Sequence, residues 1–248
     1  MLKWDEVGQK EYELGVSKGV LFPQDSKGNY PKGVVWNGLI NVTESPGGAE
    51  PTDLYADNIK YASMRSAETF GATVEAYMYP PEFGACDGSK EAAPGVSVGQ
   101  QDRQMFALCY RTEVGNDTAT EEDDGYKLHL IYGCTASPSE KAYGTISDSP
   151  EAITFSWEIQ TTPVNISGFK PTSSIIIDSR KVDQDKLKKL EAILYGDESY
   201  QGLSSYSSGI STFSDLEEDE SPATTPSTGE VAARMPLPDE IIEIFKED

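Results

Sequence analysis

The sequence predicts a mainly β fold, an antiparallel β-sandwich or barrel with one flanking α-helix, an extended loop and a C-terminal arm. Several short segments alternate apolar and polar residues and are separated by turn-forming residues. One long segment instead has helical spacing. With 37% hydrophobic residues in 248, the chain can bury a core. These observations favour a sandwich or barrel over a helical or disordered protein.

The first strands follow from short apolar runs near the N-terminus. Residues 19–22 form one run, and residues 34–42 form a longer one in which Gly38 is expected at a bulge. Residues 64–71 are predicted to hold one helical turn, capped by Ser66.

The stretch 44–61 is predicted to be a long acidic loop, because it is dense in Pro, Gly, Asp and Asn. It also carries Leu54, Tyr55 and Ile59, which a fully solvated loop would not need. These apolar side chains indicate that the loop touches something.

The clearest pattern is a long antiparallel hairpin. Residues 104–113 and 126–133 both alternate, with aromatic and branched residues, around the polar connection 114–125. Two further strands are predicted at residues 152–164 and 174–179.

The spacing then becomes helical. Residues 182–195 are predicted to form a helix, with Asp183 as its cap and Gly196 as its end. It closes a β-sandwich domain over residues 1–196. Residues 197–233 are rich in Ser and acidic residues and are expected to be flexible. Residues 234–248 are expected to dock through a short helix, with these candidate docking residues: Leu237, Ile241, Ile244 and Phe245.

The composition excludes several functions. A net charge of -22 and a pI near 4.3 argue against binding to nucleic acid and adhesion to anionic membranes. No secretory signal or apolar run long enough to span a membrane is expected. The three cysteines are widely spaced and are expected to be free thiols.

Little in the sequence indicates catalysis or metal binding. The single histidine, His129, lies within a strand pattern, where pairing across the sheet is the expected role. The pair Glu82 and Asp87 carries no signal among 42 acidic residues. The acidic run 121–124 lacks the ligand spacing of a calcium loop. We expect no enzyme activity, cofactor or metal site.

Several long segments resemble one family, the major tail proteins (tail tube proteins) of long-tailed phages and prophages of Gram-positive bacteria. The segments are YPKGVVWNGLINVTESPGGAEPTDLYADNIKY, FGATVEAYMYPPEF, GQQDRQMFALCYRTEVGNDT, GYKLHLIYGCTASPSEKAYGTISDSPEAITFSWEIQTTPV and MPLPDEIIEIF. The resemblance covers about residues 12–196 and 234–245. It does not extend to residues 197–230.

The resemblance implies a small β-sandwich flanked by a helix, six copies of which form a ring. Stacked rings make the tube that conducts the genome to the host. The implied location is the tail of the virion, assembled in the host cytoplasm. The implied partners are further copies of this chain, the tape-measure protein, and the tail-terminator and distal tail proteins. Double-stranded DNA would pass through the tube without specific binding, which an acidic lumen would favour.

A stacked tube needs one contact that closes the ring and another that repeats along the axis. Exposed strand edges suit the first contact. The loop 44–61 and the chain termini suit the second, or the loop folds back on its own domain. The candidates for the contact between rings are these residues: Pro46, Glu50, Leu54, Tyr55, Asp57 and Ile59.

Two other functions stay open at this point. A monomeric β-sandwich could bind carbohydrate or a receptor as a tail component, using its many tyrosines. An enzyme built on scattered carboxylates is the third reading. The size of the particles at high concentration separates the tube subunit from the binding module, since a tube protein forms rings or filaments and a binding module stays monomeric.

Overall fold

A computed structural model describes residues 3–8, 10–48, 50–118, 125–146, 152–196 and 232–246. These residues form a mainly β, antiparallel fold with few helices, as the sequence predicts. The strands are β1 Tyr12–Pro23, β2 Val34–Trp36, β3 Leu39–Glu44, β4 Gly47–Gly48, β5 Pro51–Ala56, β6 Ile59–Arg65, β7 Glu68–Thr69, β8 Gly71–Ala76, β9 Lys90–Ala93, β10 Val96–Val98, β11 Phe106–Gly115, β12 Gly125–Ala136, β13 Phe155–Thr161 and β14 Ser174–Asp178. The helices are α1 Phe83–Cys86, α2 Gln184–Tyr195 and α3 Pro238–Phe245.

The main sheet has the strand order β2-β1-β11-β12-β13-β8-β3, and β14 also pairs with β12. The long strand β12 pairs with β14 before Gly133 and with β13 after it, because the strand bends at Gly133, whose φ is 60°. A Cβ at this position would lie 2.1 Å from the carbonyl oxygen of Thr162, so only glycine fits. The bend lets one strand join the two halves of the sandwich.

The central strands are buried on both faces. One face turns towards the other strands of the sandwich and holds an aromatic cluster, in which Trp157 lies 5.8 Å from Trp36 and 5.1 Å from Phe83 between ring centroids. The Trp36 indole donates a hydrogen bond to the Met78 carbonyl, which satisfies its buried N–H. The sandwich interior is therefore packed with side chains.

The opposite face is covered by the helices. Leu187, Leu190 and Leu194 of α2 lie fully buried against β11, β12 and β14, as their helical spacing predicts. Asp183 accepts hydrogen bonds from two backbone amides of the first turn, and Gly196 ends the helix with a φ of 84°. The predicted cap and end are both confirmed, and α2 begins two residues later than the predicted range.

Some predicted elements differ in the structure. Gly38 is not at a bulge but in the turn between β2 and β3, which pair with different strands. Ser66 caps no helix, since it lies between β6 and β7. The predicted strand 152–164 is shorter, at Phe155–Thr161, and the run 19–22 is the end of the longer strand β1. Long-range pairing decides these limits, which local pattern does not show.

Further differences concern segments without a clear sequence pattern. The exposed hairpin β9–β10 and the short helix α1 were not predicted. The acidic run 121–124 and almost all of the segment 197–233 lie outside the described residues.

Candidate assembly surfaces

The predicted loop 44–61 is part of a long β-hairpin, which we call the arm and define as residues 45–70. The ladder between β3 and β8 continues into the pairs β4–β7 and β5–β6. Val42 pairs with Val74, and Leu54, twelve residues after Val42, pairs with Ala62, twelve residues before Val74. Because no residue is inserted or skipped between these pairs, the arm continues the hairpin of the main sheet. From Ser45 to the tip it reaches about 40 Å at the usual rise of a strand.

The tip of the arm is a two-residue turn. Asp57 and Asn58 both have positive φ, of 51° and 62°. This is the backbone of a type I′ turn, in which Asp and Asn are favoured and whose twist suits a hairpin. The sequence analysis interpreted residues 44–61 as a long loop, and that interpretation is wrong, because most of them belong to β4, β5 and β6, with the turn at Asp57 and Asn58. The turn chemistry and the alternation after it were the signals that could have predicted the hairpin.

The arm has two different faces. Directly opposite residues share a face and successive residues alternate, except at Tyr61, where a register shift leaves one residue unpaired between the pairs Leu54–Ala62 and Tyr55–Lys60. The register therefore assigns each paired side chain to a side. We call the first side the apolar face of the arm, and it consists of these residues: Thr52, Leu54, Ala56, Ile59, Ala62 and Met64. The other side carries Asp53, Tyr55, Lys60, Ser63 and Arg65. The ion pair of 2.8 Å between Asp53 and Lys60 agrees with this assignment.

The apolar face is open to solvent. Leu54, Ile59 and Met64 are 43%, 65% and 61% exposed. In the described part of the chain, β5 and β6 pair only with each other. An isolated two-stranded hairpin is marginally stable in water, so an arm of this length gains from a surface that covers its apolar face.

The predicted inter-ring residues all lie on the arm but are not all together. Leu54 and Ile59 share the apolar face, whereas Tyr55 lies on the opposite face. Asp57 forms the turn, and the remaining two candidates, Pro46 and Glu50, are exposed near the base. The sequence analysis did not select Met64, whose alternation with Ala62 places it beside Leu54.

The C-terminal candidates dock on their own subunit. Ile241 is buried in the cluster beneath α2, and Ile244 and Phe245 pack against the same cluster at its margin. The Tyr132 hydroxyl donates a hydrogen bond to the Pro236 carbonyl. Leu237, at the start of α3, is 38% exposed. The helix α3 is thus a part of the domain core rather than a free docking element.

The described residues before and after the segment 197–231 lie close together. The Arg234 backbone amide donates a hydrogen bond of 2.9 Å to the Ile193 carbonyl of α2. Arg234 also forms an ion pair with Glu240 of α3. The chain at Arg234 therefore lies beside the last turn of α2.

A polar cluster lies where the arm leaves the sandwich, and we call it the root cluster: Glu13, Glu44, Tyr110, Thr112 and His129. Glu44 is the last residue of β3, and its carboxylate accepts a hydrogen bond of 2.6 Å from the Tyr110 hydroxyl. His129 stacks on Tyr110 across the sheet, at 4.7 Å between ring centroids. This is the cross-strand pairing that the sequence predicts for His129.

His129 lies between two carboxylates. Its Nε2 is 3.4 Å from Glu13 and 2.9 Å from the Thr112 hydroxyl, and its Nδ1 is 3.4 Å from Glu44. The imidazole first, and then the Tyr110 hydroxyl, hold the pKa of Glu44 below its usual value. Lys127 first, and then Thr112, lower the pKa of Glu13 in the same way. The carboxylates are thus held in their charged form at the base of the arm.

The described residues contain no group of His, Cys, Asp and Glu side chains that could hold a metal ion. Glu82 and Asp87 are each paired with cations, Glu82 with Lys32 and Asp87 with Lys141. The three cysteines are buried free thiols, as predicted. Among the described helices, none is long and apolar enough to cross a membrane.

The sequence matches no protein-family model, and no curated protein matches the chain.

Proposed function

We propose that this chain is the subunit of the tail tube of a long-tailed phage, a structural protein without catalytic activity. The resemblance in sequence over residues 12–196 and 234–245 supports this function. The antiparallel sandwich with its flanking helix agrees with what the resemblance implies. Copies of the chain form rings, six to a ring, and the stacked rings conduct double-stranded DNA.

The observation that carries the proposal is the uncovered apolar face of the arm. Leu54, Ile59 and Met64 form a row on a hairpin that extends the main sheet beyond its own core. A surface of this kind on a protruding element is typical of a site for protein contact. Insertion against a copy in the next ring would bury it in a head-to-tail contact, which propagates along an axis instead of closing.

The contact that closes the ring is assigned to the free edges of the main sheet. In the described chain the main path of the sheet ends at β2 on one side and at β3 on the other, while β14 lies off this path and pairs with β12. Unpaired strand edges bind other strands through their backbone groups, and a ring removes both edges at once.

The charge of the chain fits a conduit for DNA. With 42 acidic and 20 basic residues, the subunit repels a polyanion at neutral pH. A tube that bound DNA through cationic side chains would hold the genome by counterion release. The lumen is therefore proposed to be acidic, and the tube should retain no DNA at physiological salt.

Negative-stain microscopy of the purified chain tests the assignment. We expect tubes of uniform width that form above a threshold concentration. The matched variant replaces residues 49–67 with Asn-Gly, which joins the paired residues Gly48 and Glu68 by a tight turn. It should stay folded by circular dichroism and form no tubes. Tubes of normal length from this variant would overturn the stacking role of the arm.

A second candidate is a monomeric carbohydrate-binding module. The arm exposes Tyr55 and Tyr61, at 71% and 75%, and aromatic side chains of this kind contact sugars. Sedimentation at high concentration and a glycan-binding assay separate the two functions. A chain that stays monomeric and binds glycans through these tyrosines would favour the module.

A further inference from the structure

We propose that the root cluster positions the arm in the free subunit. The arm then already points in the direction that it has in the assembled tube before it contacts another copy. Glu44 and Tyr110 are the positioning residues. This inference rests on the proposed function of the arm and adds how the subunit prepares it.

The first strand of the arm is anchored through Glu44. This residue is the last of β3, and the arm begins at the next residue. Its carboxylate accepts a hydrogen bond from the hydroxyl of Tyr110. The Tyr110 side chain is 2% exposed and stacks on His129. Both aromatic side chains belong to the central strands β11 and β12, so they tie Glu44 to the middle of the main sheet.

The second strand is anchored at the same level. Phe70 is the last residue of the arm, and its carbonyl accepts a hydrogen bond of 2.6 Å from the hydroxyl of Thr161 on β13. The Phe70 side chain packs against the aromatic interior of the sandwich. Across the base, the Ser45 amide donates to the Gly71 carbonyl at 2.7 Å. Both strands are therefore held by side chains of other strands where the arm starts.

Beyond this base the described arm is held mainly by its own ladder. Its strands β5 and β6 pair only with each other, so small rotations at the root would be amplified over about 40 Å of hairpin. A protruding element with a fixed direction loses less conformational entropy on binding than one that samples many directions. Anchoring the root thus favours assembly without adding any contact to the interface.

The experiment measures the direction of the arm in the free subunit. Spin labels are attached at Ala56→Cys near the tip and at Lys188→Cys on the exposed side of α2, and their distance distribution is recorded below the concentration of assembly. The native cysteines are fully buried, and burial raises the pKa of the Cys86 thiol to about 12, so labelling is confined to the two new sites. The unaltered root should give one narrow distribution.

Two variants loosen the root without removing core volume. Tyr110→Phe deletes the hydroxyl and keeps the ring stack, and Glu44→Ala deletes the acceptor. Each should broaden the distribution at least about twofold. Glu44→Gln, which keeps an acceptor oxygen for Tyr110, should restore a narrow distribution. The matched control is Glu113→Ala on β11, since that carboxylate is exposed and pairs with Arg111.

Distributions that stay narrow in both Tyr110→Phe and Glu44→Ala would overturn the inference. A broad distribution with the unaltered root would overturn it equally. The measurement is independent of the proposed function, because it uses the unassembled subunit. If the protein formed no tubes at any concentration, the function would fail and the positioning role would still be decided by these distances.

Discussion

Replacing Ile59 with threonine tests whether the apolar face of the arm joins successive rings. Ile59 is 65% exposed in the subunit, and threonine keeps the branched shape that strands favour. Full burial of an isoleucine side chain is worth about 1.5–3 kcal/mol, so burying this exposed part on assembly contributes about 1–2 kcal/mol. Each tenfold change in an equilibrium constant corresponds to about 1.4 kcal/mol, and the critical concentration for tubes should therefore rise about 5- to 30-fold.

The assay is sedimentation of tubes over a range of subunit concentrations, with the pellet checked by microscopy. Tyr55→Thr is the matched control, because Tyr55 is 71% exposed on the opposite face of the same strand pair. It should change the critical concentration by no more than about twofold, the effect expected of a surface substitution. Thermal unfolding of both variants should match the parent protein, since neither side chain belongs to the core.

Equal effects of the two substitutions would refute the assignment of the faces. An unchanged critical concentration for Ile59→Thr would refute the role of the apolar face in stacking.

Three further predictions concern the fold and its stability. Gly133→Ala should destabilise the domain by more than about 3 kcal/mol in urea unfolding, because the added Cβ would collide with the Thr162 carbonyl and alanine disfavours the positive φ of this position. A loss of stability below about 1 kcal/mol would contradict the bend in β12. Ile241→Ala should cost about 2–4 kcal/mol in the same assay, and an unaltered urea midpoint would show that α3 does not dock on its own subunit. Arg180 lowers the pKa of Asp178 from 3.8 to about 2, so this carboxylate stabilises the fold above about pH 4 and the stabilisation is lost as the pH falls towards 2. Asp178→Asn should therefore lower the urea midpoint at pH 7 and make little difference at pH 2, and an equal effect at both values would refute the ion pair as the cause.

Local signals predicted the elements whose limits are decided locally. The hairpin of β11 and β12 follows from alternation on both sides of a polar connection. The helix α2 follows from its leucine spacing, with Asp183 and Gly196 at its ends. Each of these features depends on residues close in the chain, so one sequence is enough to predict them.

The arm was predicted only in part, because its composition is that of a loop although its structure is a β-hairpin. Its glycines, prolines and acidic residues are typical of a loop, and its short strands lack a continuous apolar run. What makes it a hairpin is the register inherited from β3 and β8, together with the turn at Asp57 and Asn58. The candidate residues were found by their apolar character, but their division between two faces depends on that register.

Apart from the cross-strand pairing of His129, the root cluster could not be predicted. Glu13, Glu44 and His129 are far apart in the sequence, and no spacing rule connects them. They meet because β1, β3, β11 and β12 come together at one end of the sandwich.

The sequence by itself determined the mainly β class, the acidic surface, the free thiols and the helix that covers one face. These follow from composition and from patterns with a period of a few residues, which any chain segment carries with it. The tertiary structure alone decided that the arm is an extension of the main sheet, that its apolar side chains form one exposed face, and that α3 belongs to the core. Strand pairing joins segments that are distant in the chain, and the energy of each pairing depends on all the others, so these features exist only in the complete fold.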